Sequence, residues 1–317
     1  MAEEKQYEVV IVGGGPGGLC AGLYCSRARR KTICLEKYLP GGQIAITGEV
    51  EDYLGFEQIA GADLAMKFSE HAKKFGLEIA MEEVVELYLD GDERVARCAS
   101  GNVYRGKAAI VSTGGSPVKL GVPGEEEYSG KGVSYCAICD GAFFRDQVIA
   151  VVGGGDAAVE EGTFLTKFAS KVIIIHRRDQ LRAQKIIQQR AFDNPGVQLI
   201  WDTIVESVNG DGKRVTHLSL RNVKTQETSR LEVGAVFPYL GFRPNSNIIR
   251  GDLRKDSGGY ILTNDRMETS IRGIFACGDV RAQLVRQVTN AVGDGTTAAV
   301  AAEKYIEDLE DKHRSRA

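Results

Sequence analysis

Two cysteines, Cys136 and Cys139, stand two residues apart in the run Cys136-Ala137-Ile138-Cys139-Asp140-Gly141. That spacing lets two thiols close a small reversible disulfide, and the thiolate is the form that attacks another disulfide. Asp140 beside them offers a general acid or base for the protons such exchange moves. Half of a zinc site is one alternative, but it needs a second Cys or His pair. The chain has a single C-x-x-C and four dispersed histidines. Two inert core cysteines are another alternative, and the flanking Asp and Gly argue against it. Cys20 and Cys25 both fall on the helix expected after Gly18, where residues five apart have Cα atoms more than about 8 Å apart on diverging faces, too far for a disulfide. They, with Cys34, Cys98 and Cys277, read as core or surface thiols.

A dithiol that cycles needs an electron source, and the chain contains one loop type twice. Residues 8–12 (EVVIV) are an apolar β-rich run leading into Gly13-Gly14-Gly15-Pro16-Gly17-Gly18, a helix over 19–29 and a strand at 32–36. Residues 148–152 (VIAVV) lead into Gly153-Gly154-Gly155-Asp156-Ala157-Ala158, a helix to about Phe168 and a strand at 171–175. Both fit G-x-G-x-x-G/A between strand and helix. Gly13 and Gly153 permit the tight turn, Gly15 and Gly155 let the backbone approach a pyrophosphate, and Gly18 and Ala158 keep helix and strand close. A ligand-free Gly-rich turn is the plain alternative; two copies in the same context weigh against it.

The copies differ where they would meet an adenosine ribose. Glu36 lies 23 residues after Gly13, and His176 lies 23 residues after Gly153. Glu36 can accept from ribose hydroxyls and repels a 2′-phosphate. His176-Arg177-Arg178, with Arg182 beyond, supplies cationic forks that suit a phosphate, so the second unit reads as NADPH-binding. A solvated basic face would explain the arginines but not their start at the position that chooses the cofactor. The first unit then takes another dinucleotide, and FAD fits. The apolar runs 108–114, carrying Thr113, and 273–279, ending in Gly278-Asp279, read as strands that complete a flavin site, with Asp279 placed for the ribityl chain.

The expected fold is α/β with two Rossmann-like, three-layer dinucleotide-binding domains. The FAD domain is discontinuous, residues 1–116 and 247–317. The NADPH domain, residues 117–246, is inserted between and carries the dithiol. Turn-forming linkers at 114–117 and 241–245 mark the joints. Nicotinamide and dithiol on one rigid body must take turns at a flavin held by the other, which implies a domain rotation in each turnover.

Composition narrows the function classes. The 317 residues carry a net charge of −3, with 43% hydrophobic and 26% charged residues, as in a soluble two-domain protein. No basic stripe suggests nucleic-acid binding, and no apolar run reaches about 18 residues, so no membrane span is expected. The acidic N-terminus MAEEKQYEVV has no apolar h-region, so cytoplasmic residence is expected.

The stretches IVGGGPGGL, GGQIAITGEVEDYLGF, CAICDGAFF, GGGDAAVEE, HRRDQLRA and ACGDV, with Arg286-Gln287 downstream, closely resemble those of the low-molecular-weight, bacterial-type thioredoxin reductases along nearly the whole chain. The resemblance implies a homodimer that uses FAD and NADPH to reduce thioredoxin. It implies that Cys139 faces the flavin, that Cys136 attacks the partner disulfide and that Asp140 is the acid–base residue. It also implies that Pro16, Gly42, Gln43, Val84, Arg286 and Gln287 join the FAD site, and Asp156 and Ala157 the NADPH site. Asp52 and Ala157 depart from the usual Asn and Ser or Thr. The same chemistry on another redoxin or on a peroxidase-system disulfide is the alternative, with Phe143 and Phe144 able to serve either as docking surface or as core. A flavin:NADP oxidoreductase without disulfide chemistry leaves the C-x-x-C unexplained.

Overall fold

The computed structural model describes residues 2–46, 49–50, 52–135 and 137–314; of Ile46, Glu49, Ile138, Cys139, Phe242 and His313 it describes the backbone. The chain forms two compact units, residues 1–116 with 243–317 and residues 117–242.

In the first unit, strands Val9–Val12, Thr32–Glu36, Glu78–Met81, Ala108–Val111 and Ile274–Ala276 form a parallel five-stranded sheet, with Val9–Val12 at its centre. Val9–Val12, Thr32–Glu36, Ala108–Val111 and Ile274–Ala276 are buried throughout, as expected where both faces of a parallel sheet are covered. On one face Val9, Ile11, Cys34 and Ile110 pack against Leu19 and Ala21 of helix Pro16–Arg27, Ala72 of helix Gly61–Lys74 and Ala298, Ala302 and Ile306 of helix Val288–Arg314. On the other face Val10, Val12, Ile33 and Leu35 meet Leu87, Ala96 and Tyr104. These last belong to a second, four-stranded sheet of Glu4–Gln6, Val103–Gly106, Glu93–Cys98 and Val84–Asp90.

The second unit repeats the plan. Strands Val197–Ile200, Lys171–Ile175, Val148–Gly153 and Ala235–Tyr239 form a parallel sheet in that order. Ile149, Val151, Ile174 and Phe237 pack on Ala158 and Leu165 of helix Asp156–Leu165. Ala150, Val152 and Ile175 pack on Val205, Leu218 and Leu220 of the antiparallel layer Thr203–Gly210, Val215–Asn222 and Thr228–Glu232. Each unit is thus three layers, helix, parallel sheet and a second sheet that is mixed in the first unit and antiparallel in the second, with its glycine loop at the carboxyl end of a central strand.

The glycine-loop helices run over Pro16–Arg27 and Asp156–Leu165. The first starts three residues earlier than the sequence pattern suggests, because Pro16 is preorganised for a first helical position. The second ends three residues before Phe168, whose N–H bonds back to Leu165 O in a closing turn. The strand expected over 273–279 is confined to Ile274–Ala276, after which Gly278–Val280 winds into a 3₁₀ turn.

Candidate active site

In the first unit the glycine loop is shaped by close approach. Gly13 has φ +101°, and a Cβ there would fall 2.3 Å from Ser112 O. A Cβ on Gly18 would fall 1.9 Å from Gly13 O, so only glycine lets the helix start this near the turn. Among the described residues, nothing stands where a Cβ on Gly15, the residue before the helix, would lie, and no side chain caps the helix. The first helical N–H groups therefore face a concavity that suits a pyrophosphate. Glu36, at the end of its strand, accepts from Gly14 N at 2.6 Å and from Tyr38 N at 2.9 Å.

Other expected residues gather around this turn. The backbone at Gly42, which opens the 3₁₀ turn Gly42–Ile46, lies against Gly15; a Cβ on Gly42 would stand 3.1 Å from Gly15 Cα. Gln43 is exposed. Glu82 N bonds to Glu36 O at 2.8 Å, which brings Val84 within two residues of the Glu36 strand end. Thr113 follows strand Ala108–Val111 and donates its hydroxyl to Asn245 O at 2.8 Å.

Asp279 is half-buried, and among the described residues its carboxylate has no hydrogen-bond partner. Burial raises its pKa, and the Arg286 cation partly offsets this. A carboxylate left in this state is suited to accept from ligand hydroxyls. Arg286 lies over the Tyr260 ring at 4.2 Å, and Gln287 immediately precedes helix Val288–Arg314. The sequence pattern did not single out Asp294. It accepts from Gly278 N at 3.1 Å and pairs with Arg281 at 2.8 Å, fixing the turn that carries Asp279. Asp52 is exposed.

In the second unit the loop has the same form with a different partner. A Cβ at Gly153 would lie 2.7 Å from the Ala158 Cβ, and one at Gly154 would lie 2.4 Å from the His176 ring. His176 therefore occupies the place under this loop that Glu36 occupies in the first. Burial and the charges of Arg182 and Arg178 hold the His176 pKa below its ordinary value, so the ring is neutral at pH 7. Among the described residues its buried Nε2 has no hydrogen-bond partner. Arg182 N bonds to Gly154 O at 2.6 Å, which folds the arginine segment back onto the loop.

Arg177, Arg178 and Arg182 are exposed. Asp179, in the same segment, pairs instead with Lys224 at 3.1 Å, and none of the three arginines forms an ion pair among the described residues. Gly155 has open space at its Cβ position. Asp156 accepts from Gln184 N at 2.7 Å, and Ala157 is exposed. Unpaired guanidiniums beside an open loop fit a nucleotide with an additional phosphate, whereas the acid at Glu36 fits one with free ribose hydroxyls.

The second unit also carries the cysteine segment. Cys136 lies outside the described residues. Cys139 is on the four-residue helix Ala137–Asp140, followed by the 3₁₀ turn Gly141–Phe144. Asp140 is half-buried. Ala137 is 1% exposed within the helix-side core, and its N–H donates to the Tyr239 hydroxyl at 2.9 Å. Phe143 is 76% exposed, whereas Phe144 packs edge-on against Phe237 with ring centroids 6.0 Å apart. The two phenylalanines therefore divide the alternatives, one at the surface and one in the core. The remaining thiols contrast with the pair in position. Cys25, Cys98 and Cys277 are pushed up to about 12 by burial, and Cys34 is raised as well. None of these is a thiolate near neutral pH.

The sequence profile described as pyridine nucleotide-disulphide oxidoreductase matches residues 7–295. Thioredoxin reductase of Bacillus subtilis (strain 168) is 48% identical over 311 residues, 98% of this chain and 98% of that one. Thioredoxin reductase of Listeria monocytogenes is 48% identical over 316 residues, 100% of this chain and 99% of that one. Among solved structures, Lactococcus lactis thioredoxin reductase in its FR conformation superimposes with a TM-score of 0.91 at 46% identity, covering 95% of this chain and 99% of that chain.

Proposed function

The chain belongs to the pyridine nucleotide-disulphide oxidoreductases, as a thioredoxin reductase of the low-molecular-weight type, and from that premise we propose how its residues divide the work. When bound, NADPH supplies a hydride and FAD passes the two electrons on to a disulfide. Gly13, Gly15, Pro16, Gly18, Glu36, Gly42, Gln43, Val84, Thr113, Gly278, Asp279, Arg286 and Gln287 hold FAD in the first unit. Gly153, Gly155, Asp156, Ala157, His176, Arg177, Arg178 and Arg182 hold NADPH in the second.

Cys136 and Cys139 are the exchanging pair. The Cys136 thiolate attacks the disulfide of thioredoxin and displaces one of its sulfurs as a thiolate. The Cys139 thiolate then attacks Cys136 and releases the second sulfur, which leaves the pair as a disulfide and thioredoxin as a dithiol. Asp140 exchanges protons with the departing and arriving thiolates. Phe143 contributes to the surface that thioredoxin meets.

The observation that carries this reading is the meeting of the Cys139 helix and the arginine-flanked loop on one sheet: Ala137 and Ala158 lie in a single core cluster. Because one unit carries both, the proposal includes a rotation of that unit between half-reactions. It also includes a homodimer working in the cytoplasm without a membrane or nucleic acid. No described helix is long and apolar enough to cross a membrane. The test is NADPH oxidation by the purified, FAD-loaded protein with oxidised thioredoxin, glutaredoxin or a peroxiredoxin disulfide as acceptor. Turnover is expected with thioredoxin. Reduction of another protein disulfide but not of thioredoxin would transfer the chemistry to a different partner.

A further inference from the structure

The segment that carries the candidate dithiol is too short to place itself. One turn of helix fixes several backbone dihedrals for few internal hydrogen bonds, so the position of Ala137–Asp140 depends on what it rests on. Contacts of the described residues on either side hold it. Ala137 N donates to the Tyr239 hydroxyl at 2.9 Å. Gly141 lies flat on the next helix, where a Cβ would stand 2.7 Å from Leu165 Cδ2. Phe144 meets Phe237 edge-on, at an interplanar angle of 86°.

Phe237 and Tyr239 are two residues apart on strand Ala235–Tyr239, so their side chains project to one face. That strand also bears on the nucleotide loop. Tyr239 pairs with Gly153 in the sheet, and a Cβ on Gly153 would fall 2.4 Å from Tyr239 O. One residue therefore touches the glycine loop through its backbone and the cysteine turn through its side chain.

We infer that Tyr239 is a positioning residue that registers the Cys139-bearing turn on the nucleotide loop of the same unit. The inference rests on the assignment of Cys136 and Cys139 as the redox pair. Burial, with the nearby charges of Glu161 and Asp140, raises the Tyr239 pKa, so the hydroxyl is a neutral, permanent partner for Ala137 N. Without it, the part-buried Ala137 N–H loses this acceptor, and the turn loses the anchor at its amino end. Holding that end restricts the turn and raises the effective concentration of one thiol at the other, which favours the disulfide. Loss of the hydroxyl shifts the pair towards the dithiol and slows exchange, while NADPH binding, which depends on other groups, is unaffected.

The test compares the full-length, FAD-loaded parent with Tyr239→Phe. Dithiol–disulfide equilibrium is measured in dithiothreitol buffers by thiol alkylation and mass, alongside steady-state kinetics with thioredoxin. The expected result is at least a threefold shift towards the dithiol, about 14 mV for a two-electron couple. A fall in kcat of fivefold or more should accompany it, with KM for NADPH within twofold of the parent. A variant that melts earlier but keeps the parent's equilibrium and kcat would reduce Tyr239 to a packing residue and overturn the inference alone. A parent whose 136–139 pair forms no reversible disulfide would overturn the redox assignment itself, and the inference with it.

Discussion

Gly14 N donates to Glu36 Oε2 at 2.6 Å across 22 residues of chain, and Tyr38 N donates to the other oxygen at 2.9 Å. The carboxylate is thus held by two backbone groups beneath the glycine loop. The equivalent relationship in the second unit joins Gly154 to the neutral ring of His176. We propose that this difference beneath the two loops, a carboxylate under one and a neutral ring leading into exposed arginines under the other, selects the two dinucleotides.

Replacing Glu36 by Ala should weaken FAD retention. Hydrogen bonds to a charged group contribute roughly 1.5–3 kcal/mol each, so a loss of ten- to a hundredfold in affinity is expected, and Glu36→Gln should be milder. Flavin absorbance remaining after gel filtration, followed by titration with FAD, measures this. Retention equal to the parent's in the Ala variant would exclude Glu36 from the site.

Both glycine loops, the acid of the first and the arginines of the second were legible in the sequence because each nucleotide unit is local. Loop, helix and selecting residue fall within about 30 residues, a span in which motif and context reinforce one another. What was not legible depends on distant pairing. Ala137 and Tyr239 are 102 residues apart, and nothing around Tyr239 marks it as a partner of the cysteine turn. The antiparallel layers 84–106 and 203–232 escaped because they carry no nucleotide motif. Phe143 and Phe144 are indistinguishable as neighbours in a string; only the presence of Phe237 under one of them separates surface from core.

That separation is itself testable. Phe143→Ala should raise KM for thioredoxin about tenfold or more, since an exposed aromatic at an interface can contribute 2 kcal/mol, and should leave reduction of a small aromatic disulfide unchanged. Phe144→Ala should instead destabilise the second unit by about 3 kcal/mol, read as a lower denaturation midpoint. If the two variants exchanged these phenotypes, the assignment of surface and core would be reversed.

Cofactor preference should reside in the exposed arginines. With each charge-assisted contact to a 2′-phosphate contributing roughly 1.5–3 kcal/mol, the Arg177→Ala, Arg178→Ala double variant should lose at least about a hundredfold in kcat/KM for NADPH. Its kcat/KM for NADH should change little. A double variant that still discriminates as the parent does would place the phosphate elsewhere.

The two cysteines should fail differently. Cys136→Ser should abolish reduction of thioredoxin while leaving Cys139 able to perturb the flavin spectrum when the protein is titrated with NADPH. Cys139→Ser should trap thioredoxin as a mixed disulfide through Cys136, visible on a non-reducing gel. Multiple turnover by either variant with a protein disulfide would refute the pair as the active centre.

Glu161 gives the second unit a pH-dependent cost that the sequence did not announce. It lies on helix Asp156–Leu165, and burial, then the neighbouring Glu160 charge, raise its pKa from 4.5 to about 7. The folded state therefore holds this proton more tightly than the unfolded chain does. Below pH 4.5 the group is protonated in both states and stability is unaffected. Between pH 4.5 and 7 the unfolded chain has released the proton and the folded chain has not, so stability falls as pH rises, and the loss is complete above pH 7. At about 1.4 kcal/mol per pH unit, the rise from 4.5 to about 7 corresponds to roughly 3.5 kcal/mol. Glu161→Gln removes the titration. The variant should match the parent at pH 4.5 and exceed it by about 3 kcal/mol at pH 8, measured as the difference in urea unfolding at the two values. An equal gain at both would mean that the substitution acts through packing, and no gain at pH 8 would mean that Glu161 is ionised without penalty in the fold.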